Sequence, residues 1–366
     1  MRYLYNKRTI LIVVLMIFCT AIVWAQQSET KRQYTSVTPN YTLTFPKDFG
    51  AHPDFRIEWW YVTGWLETNE QKTLGFQITF FRSATSHDQE NPSQFAPKHL
   101  IIAHAAISDP SIGKIIYEEK SARAGFDLAY AKEGDTHVKL DNWYFVRNET
   151  GNYQTKISTE RLSLQLSLNP TQEMMLQGKN GFSRKGPNIK QASYYYSQPH
   201  LKVTGTIKHQ NKTLTVSGHA WLDHEWSSEL LDARADGWDW VSMNLFDGSA
   251  LVAFQIRGKD GTKLWAYAQQ RNMNGKTRFF DTEQVDFMPV RTWQSPHTNA
   301  WYPVEMRIRT SELEWQLIPL FDDQELDSRS STGAAYWEGA VSILKNQQII
   351  GQGYLELTGY EKSLDL

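Results

Sequence analysis

Gly218-His-Ala-Trp-Leu-Asp-His-Glu-Trp226 and, after a short polar stretch, Gly237-Trp-Asp-Trp240 form the segment from which the fold can be read. It holds four tryptophans, two histidines and several carboxylates. Its closing part resembles another place in the chain. Gly218-His219-Ala220-Trp221-Leu222-Asp223 matches Gly351-Gln352-Gly353-Tyr354-Leu355-Glu356 as glycine, any residue, small, aromatic, leucine, acid. Its opening part has a counterpart too. Trp238-Asp239-Trp240, a turn and Phe254-Gln255-Ile256 echo Glu58-Trp59-Trp60, a turn and Phe76-Gln77-Ile78. Each half thus opens on an acidic Trp strand and closes on an aromatic-Leu-acid strand, the pattern of a duplicated unit. Matched first and last strands suggest a sheet that closes on itself and removes its edges.

Outward from this segment the chain reads as β structure. Leu162, Leu164, Leu166 and Leu168 alternate with polar residues, a period of two. Glu305 to Arg309 and Leu313 to Leu317 alternate likewise, and no long 3.6-residue apolar stripe follows the N-terminal segment. The expected fold class is all-β, in two units spanning 41–228 and 232–366. Ser83 to Lys98 and Gln177 to Gln198 read as long loops, the second carrying Tyr194-Tyr195-Tyr196.

At 366 residues, with 40% hydrophobic and 21% charged residues, the chain can bury a core in each unit. Arg2, Lys7 and Arg8 precede an apolar run, Ile10 to Ile22, too short for a comfortable membrane span. With Val23-Trp24-Ala25 this predicts a signal peptide over 1–25, cleaved after Ala25, and a tether over 26–40. The uncleaved alternative is an N-terminal anchor. Cleavage removes three positive charges, taking the formal charge from −2 to −5, and removes the single cysteine, Cys19. Export without disulfides predicts a secreted or periplasmic protein. A mildly acidic surface gives no electrostatic case for nucleic acid.

The motifs Phe45-Pro-Lys-Asp, His52-Pro53, Glu58-Trp-Trp-Tyr, Gly181-Phe-Ser-Arg-Lys-Gly, Tyr194-Tyr-Tyr-Ser, Trp221-Leu-Asp-His-Glu-Trp, Gly237-Trp-Asp-Trp, Tyr336-Trp-Glu-Gly and Gly353-Tyr-Leu-Glu-Leu-Thr-Gly-Tyr together carry a resemblance. The chain resembles the two-domain lipocalin-like family related to carotenoid 1,2-hydratase, also called AttH-like and labelled "predicted secreted hydrolase". That resemblance implies two calycin-type antiparallel β-barrels in tandem and an apolar ligand. The hydratases carry a Tyr-His-Asp-x-Asn run where this chain has Trp221 to Glu225. The aspartate is kept and Leu222 replaces the histidine.

Asp223 is the candidate acid, since a carboxyl in an apolar pocket holds its proton near neutral pH. His224 and Glu225 are its candidate partners, and Trp226, Trp238 and Trp240 a cation-stabilising wall. In a regular strand Asp223 and Glu225 share one face and His224 and Trp226 the other, so a direct Asp223–His224 dyad requires a bulge. His52 and Glu58 form a second candidate catalytic pair. Trp59, Tyr61, His104, Arg184, Tyr195 and Trp221 complete the candidate ligand-binding set, with His104 expected to face the first barrel's interior. No histidine pair has a metal-ligand spacing, and neither metal nor cofactor is expected. Ser183 is not in a Gly-x-Ser-x-Gly elbow. The expected protein takes an isoprenoid or polyketide-like molecule into the first barrel for acid-assisted hydration, cyclisation or hydrolysis. The alternative is a non-catalytic carrier or an accessory to a membrane exporter.

Overall fold

The structure, a computed structural model, describes residues 34–87, 91–210 and 212–364. The signal-peptide segment, Cys19 and most of the tether lie outside the described residues.

The first sheet is built from β1 (Ile57–Thr68), β2 (Thr73–Ala84), β3 (His99–Asp109), β4 (Lys114–Arg123), β5 (Ala129–Ala131), β6 (His137–Leu140), β7 (Trp143–Arg147), β8 (Tyr153–Ser158), β9 (Ser163–Pro170), β10 (Met175–Leu176), β11 (Phe182–Arg184), β12 (Ala192–His209) and β13 (Lys212–Glu229). Its hydrogen-bonded order is β4-β3-β2-β1-β13-β12-β9-β8-β7-β6-β5. The end strands β4 and β5 are neighbours in sequence, so the sheet curls back towards its own start. Residues 230–234 then lead into the second sheet. That sheet holds β14 (Ala235–Leu245), β15 (Ala250–Gly258), β16 (Lys263–Arg271), β17 (Thr277–Phe280), β18 (Val285–Gln294), β19 (Trp301–Thr310), β20 (Glu314–Pro319), β21 (Glu325–Asp327), β22 (Ala335–Lys345) and β23 (Gln348–Leu357). Its order is β17-β16-β15-β14-β23-β22-β20-β19-β18, again ending on sequence neighbours. All the strand pairs within both sheets are antiparallel, and the architecture is that of two tandem lipocalin-like barrels.

Strand alternation decides what each barrel encloses. On β1, Trp60, Val62 and Leu66 join Phe76, Ile78, Phe80, Leu164, Leu166, Leu168, Val203 and Leu222 in one buried cluster inside the first barrel. That interior is filled with side chains, which corrects the expectation of a ligand cavity there. A second cluster, including Val241, Met243, Leu251, Met306, Leu317, Trp337 and Leu355, fills the second barrel. The intervening residues of the same strands face outward and meet: Tyr61, Trp65 and Trp221 pack against Trp240, Val252, Phe254, Ala340 and Tyr354. This seam is tight. A Cβ added at Gly75 would lie 2.7 Å from Ala340 Cβ and 3.1 Å from Ser108 Cβ, so glycine there permits the close approach.

Two expectations need correction. Tyr194, Tyr195 and Tyr196 are not in a loop but in β12, an 18-residue strand, since their alternate rings fit both of its covered faces. The Phe-Gln-Ile match is out of register. Trp240 pairs with Phe254, whereas Phe76 pairs with Gly64 and Trp60 with Phe80. Trp60 points into the first barrel and Trp240 into the seam, so their sequence likeness joins residues on opposite faces.

Candidate functional site

The pairing of β1 with β13 sets Tyr61 opposite Asp223 and Thr63 opposite Trp221. The pairing of β14 with β23 sets Trp240 opposite Glu356 and Ser242 opposite Tyr354. The two seam faces therefore present the same row, aromatic-x-acid beside aromatic-x-hydroxyl, from the two barrels. On the next strands Ser197 pairs with Asp223, and Glu338 pairs with Glu356. Two residues earlier, on the same faces, stand Tyr195 and Tyr336.

Asp223 is 2% exposed. Its Oδ1 accepts from Trp221 Nε1 at 2.6 Å and Ser197 Oγ at 2.5 Å, and its Oδ2 from Tyr195 OH at 2.7 Å. Trp240 Nε1 donates to the same Tyr195 oxygen at 3.2 Å. Burial pushes Asp223 up to about 7 against the opposing effect of those three donors. Across the seam, half-buried Glu356 accepts from Trp238 Nε1 at 3.1 Å, and burial pushes it up to about 8. Glu338 is fully buried, and neither of its oxygens has a well-formed hydrogen bond. Burial and the neighbouring Glu356 hold it well above the usual carboxyl range. Beside Asp223, Glu225 pairs with buried Lys185, Nζ to Oε1 2.9 Å. That ammonium lies over the rings of Tyr195 and Phe254 at 4.6 and 4.0 Å. Tyr61 packs edge-on to Trp240, centroids 5.2 Å apart. The seam is thus a buried, aromatic-walled contact in which several carboxyls retain protons near neutral pH.

A groove of about 200 Å³ opens at one end of this seam. Thr63, Trp65, Trp221, Ser242, Phe246 and Tyr354 line it, so it ends on the aromatic residues next to the acids.

The structure separates the other candidates from Asp223. Strand β13 pairs with β1 without a bulge, so His224 and Trp226 face away from Asp223 and no Asp223–His224 dyad forms. This also removes Trp226 from the proposed wall around Asp223. His224 instead donates and accepts within a clamp: Nε2 is 2.9 Å from Glu58 Oε1 and Nδ1 is 3.1 Å from Tyr196 OH. Burial pushes its pKa down to about 4. His52 Nδ1 lies 2.7 Å from the same Glu58 oxygen, and its Nε2 lies 3.3 Å from Asp48. Arg82 Nε and the His52 backbone N–H donate to Glu58 Oε2 at 2.8 and 2.9 Å. Trp226 stacks on His52 at 3.7 Å and Trp60 on His224 at 4.6 Å. Ligand atoms of His52, Glu58 and His224 come within 4.8 Å of one another, a grouping no sequence spacing showed. Four nitrogens, Arg82 Nε among them, surround the two Glu58 oxygens and close the cluster into a clamp.

His104 points outward, not into the first barrel as expected. Ala103 and Ala105 take the interior, and His104 meets Tyr336 of the second sheet. Trp59 borders the seam cluster. Arg184 donates to the carbonyls of Gly186 and Pro187 and lies over Trp265 at 4.5 Å. Glu338 and Glu356 were missed as site residues, although both sit in motifs visible in the sequence. Their meeting depends on the β22–β23 register.

The chain's relatives agree with this architecture. It is 30% identical over 88 residues to the acyclic carotenoid 1,2-hydratase of Rubrivivax gelatinosus, a stretch covering 24% of this chain and 21% of that protein. A crystal structure from Nitrosomonas europaea described as AttH is 61% identical, covers 89% of this chain and 99% of its own, and superposes with a TM-score of 0.84. Kievitone hydratase of Nectria haematococca shares the fold at 15% identity, with a TM-score of 0.67 over 91% of this chain and 97% of its own. The sequence profile of the AttH-like family matches residues 36–360, and the chain belongs to that family.

Proposed function

We propose that this protein adds water to, or removes it from, an electron-rich carbon–carbon double bond of an apolar isoprenoid or polyketide-like molecule held in the seam. The observation that supports this best is a set of carboxyls of differing protonation state facing one another among aromatic rings. Glu356, at about 8, is mostly protonated at pH 7 and can give a proton. Asp223, at about 7, is near half-ionised and can take one from water. Trp221, Trp238, Trp240 and Tyr61 offer π faces to the carbocation that protonation creates. Substrate enters through the groove ending at Trp221 and Tyr354. Sites for drug-sized ligands measure about 300–1,000 Å³, so the groove widens on binding, through rotation of exposed Phe246 and its neighbours. The basic and apolar N-terminal segment supports an exported protein.

The test is incubation of the purified chain with kievitone and with an acyclic carotenoid in ¹⁸O-water, read by mass spectrometry. The expected result is gain of one labelled water by at least one probe. Glu356→Gln and Asp223→Asn each lower the rate roughly 100- to 10,000-fold, the usual weight of a positioned acid or base. Unchanged turnover in both variants overturns the reading. Retention of a probe without conversion leaves the protein a carrier.

A further inference from the structure

One file of side chains leaves the seam and reaches the surface. Tyr336 and Glu338 stand two residues apart on β22 and share its seam face. The Tyr336 hydroxyl lies 2.8 Å from His104 Nδ1. The other ring nitrogen, Nε2, lies 2.9 Å from Ser331 Oγ. Ser331 Oγ in turn donates to Glu119 Oε2, which lies 3.8 Å from His104 Nε2. His104 is fully buried, whereas the Glu119 side chain is 19% exposed. The file therefore starts at a buried carboxyl and ends at a solvated one.

Its proton positions are fixed by elimination. A carboxylate only accepts, so the Ser331 O–H points at Glu119. The alternative acceptor for that hydroxyl, the Ser328 carbonyl at 3.3 Å, leads to the same conclusion. Ser331 Oγ must then accept from His104 Nε2–H. That leaves Nδ1 as the acceptor, filled by the Tyr336 O–H. The Tyr336 oxygen keeps a lone pair for the proton of Glu338, which lies within reach of the Tyr336 and Tyr61 hydroxyls. Every donor thus points outward along the file. Burial pushes His104 down to about 3, so the ring is neutral. A neutral imidazole can take a proton on one nitrogen while releasing one from the other.

We propose that Glu338, Tyr336, His104, Ser331 and Glu119 form a proton relay between the seam carboxyls and solvent, which restores the seam's protonation after each turnover. This rests on the acid–base reading of the seam given above. In water addition a C–H bond forms with a seam carboxyl's proton, a C–O bond forms with water, and the water's surplus proton passes to Asp223. One carboxyl has lost a proton and another has gained one, so no proton is consumed. The first refills from solvent through His104, and Asp223 returns its own to solvent through the groove beside Trp221 as product leaves. His104 touches no reacting atom and serves as a relay residue.

The experiment follows the carbonyl stretch of protonated carboxylic acids by infrared spectroscopy after rapid transfer of the full chain into D₂O at neutral pH. The wild type should show such a band, weaker in Glu338→Gln by that carboxyl's share, and this share should shift within the mixing time. In His104→Gln and in Ser331→Ala the shift should slow at least roughly tenfold. Ser331 is partly exposed, so its alanine variant keeps the fold and decides the matter if His104→Gln does not fold. A wild-type exchange rate in Ser331→Ala overturns the relay while leaving the acid–base reading intact. Absence of any protonated carboxyl band in the wild type overturns the acid–base reading itself, and the relay with it.

Discussion

The two faces of the seam carry the same scaffold and differ in how their acids are hydrogen-bonded. On the first barrel's face Trp221 and Asp223 are joined by Ser197 and Tyr195, and every Asp223 oxygen has a donor. On the second barrel's face Tyr354 and Glu356 stand with Glu338 and Tyr336, so a carboxyl occupies the place of the serine. A serine donates to a neighbouring acid; a second acid competes with it for protons. The first face is therefore satisfied, whereas the second keeps a carboxyl that only a proton or a ligand can relieve. The repeated strand pair thus presents a serine beside the acid on one face and a second carboxyl beside it on the other.

The strongest way to break this asymmetry is to give both faces an acid pair. Ser197→Glu would set a carboxyl against Asp223 where the nearby ammonium, Lys185, is already paired with Glu225, and should cost about 3–5 kcal/mol, as for an uncompensated buried charge. Urea unfolding at pH 7 measures it. A loss within error of zero would mean that the seam admits water and is not dry.

The pH dependence of the first face is next in size. Asp223 titrates near 7 in the folded protein against 3.8 for an ordinary aspartate. Between those values the folded chain holds a proton that the unfolded chain has released. The favourable contribution is complete below about pH 4 and is lost as pH rises to 7. Asp223→Asn has no such slope. The stability of the wild type relative to this variant should therefore fall between pH 4 and 7, by up to roughly 4 kcal/mol. A flat difference across that window would show that the three donors, and not burial, govern Asp223.

Much of this surface was legible in the sequence, and the exceptions follow from strand geometry. Trp221-Leu-Asp223 and Tyr354-Leu-Glu356 were paired correctly because both are closing strands with the same side facing the seam. The pairing of Trp60 with Trp240 failed because a slip of one residue exchanges the two faces of a strand, and likeness of residues alone cannot detect it. The period-two leucines of β9 announced a core face, but not that the core would fill the barrel and leave the carboxyl-lined seam outside it. His104 lies 232 residues from Tyr336, and Glu58 lies 166 from His224. Contacts at such separations are products of topology, and no local pattern encodes them.

Relieving the second face should strengthen the fold. Glu338→Met removes a buried carboxyl without well-formed hydrogen bonds and replaces it with an apolar chain of similar length. It should stabilise by about 1–3 kcal/mol at neutral pH and above. The same variant should lose turnover if the seam is the site, the usual trade between stability and function. Stabilisation with full turnover would move the chemistry away from the second face.

The smallest effects test whether the likeness of the faces is geometric as well as chemical. Trp65 on β1 donates Nε1–H to the Gly353 carbonyl at 2.9 Å, and Asn244 on β14 donates Nδ2–H to the Ala220 carbonyl at 3.1 Å. Each bond runs from an opening strand of one barrel to the closing strand of the other, and Gly353 and Ala220 occupy matched places just before Tyr354 and Trp221. The two bonds are thus reciprocal between the barrels. Each spans the seam, and each leaves a strand carbonyl without this partner when removed. Asn244→Ala should cost about 1 kcal/mol, the net worth of one such bond. Trp65→Phe should cost that amount plus the packing of the missing ring, since Trp65 is 6% exposed while Asn244 is half-buried. Thermal unfolding of both single variants and the double variant separates the terms. If the bonds hold one rigid docking, the double variant loses less than the sum of the singles, because the first change has already loosened the second bond. Simple additivity would instead make the seam two independent contacts, and the close approach at Gly75 would then be what fixes the barrels together.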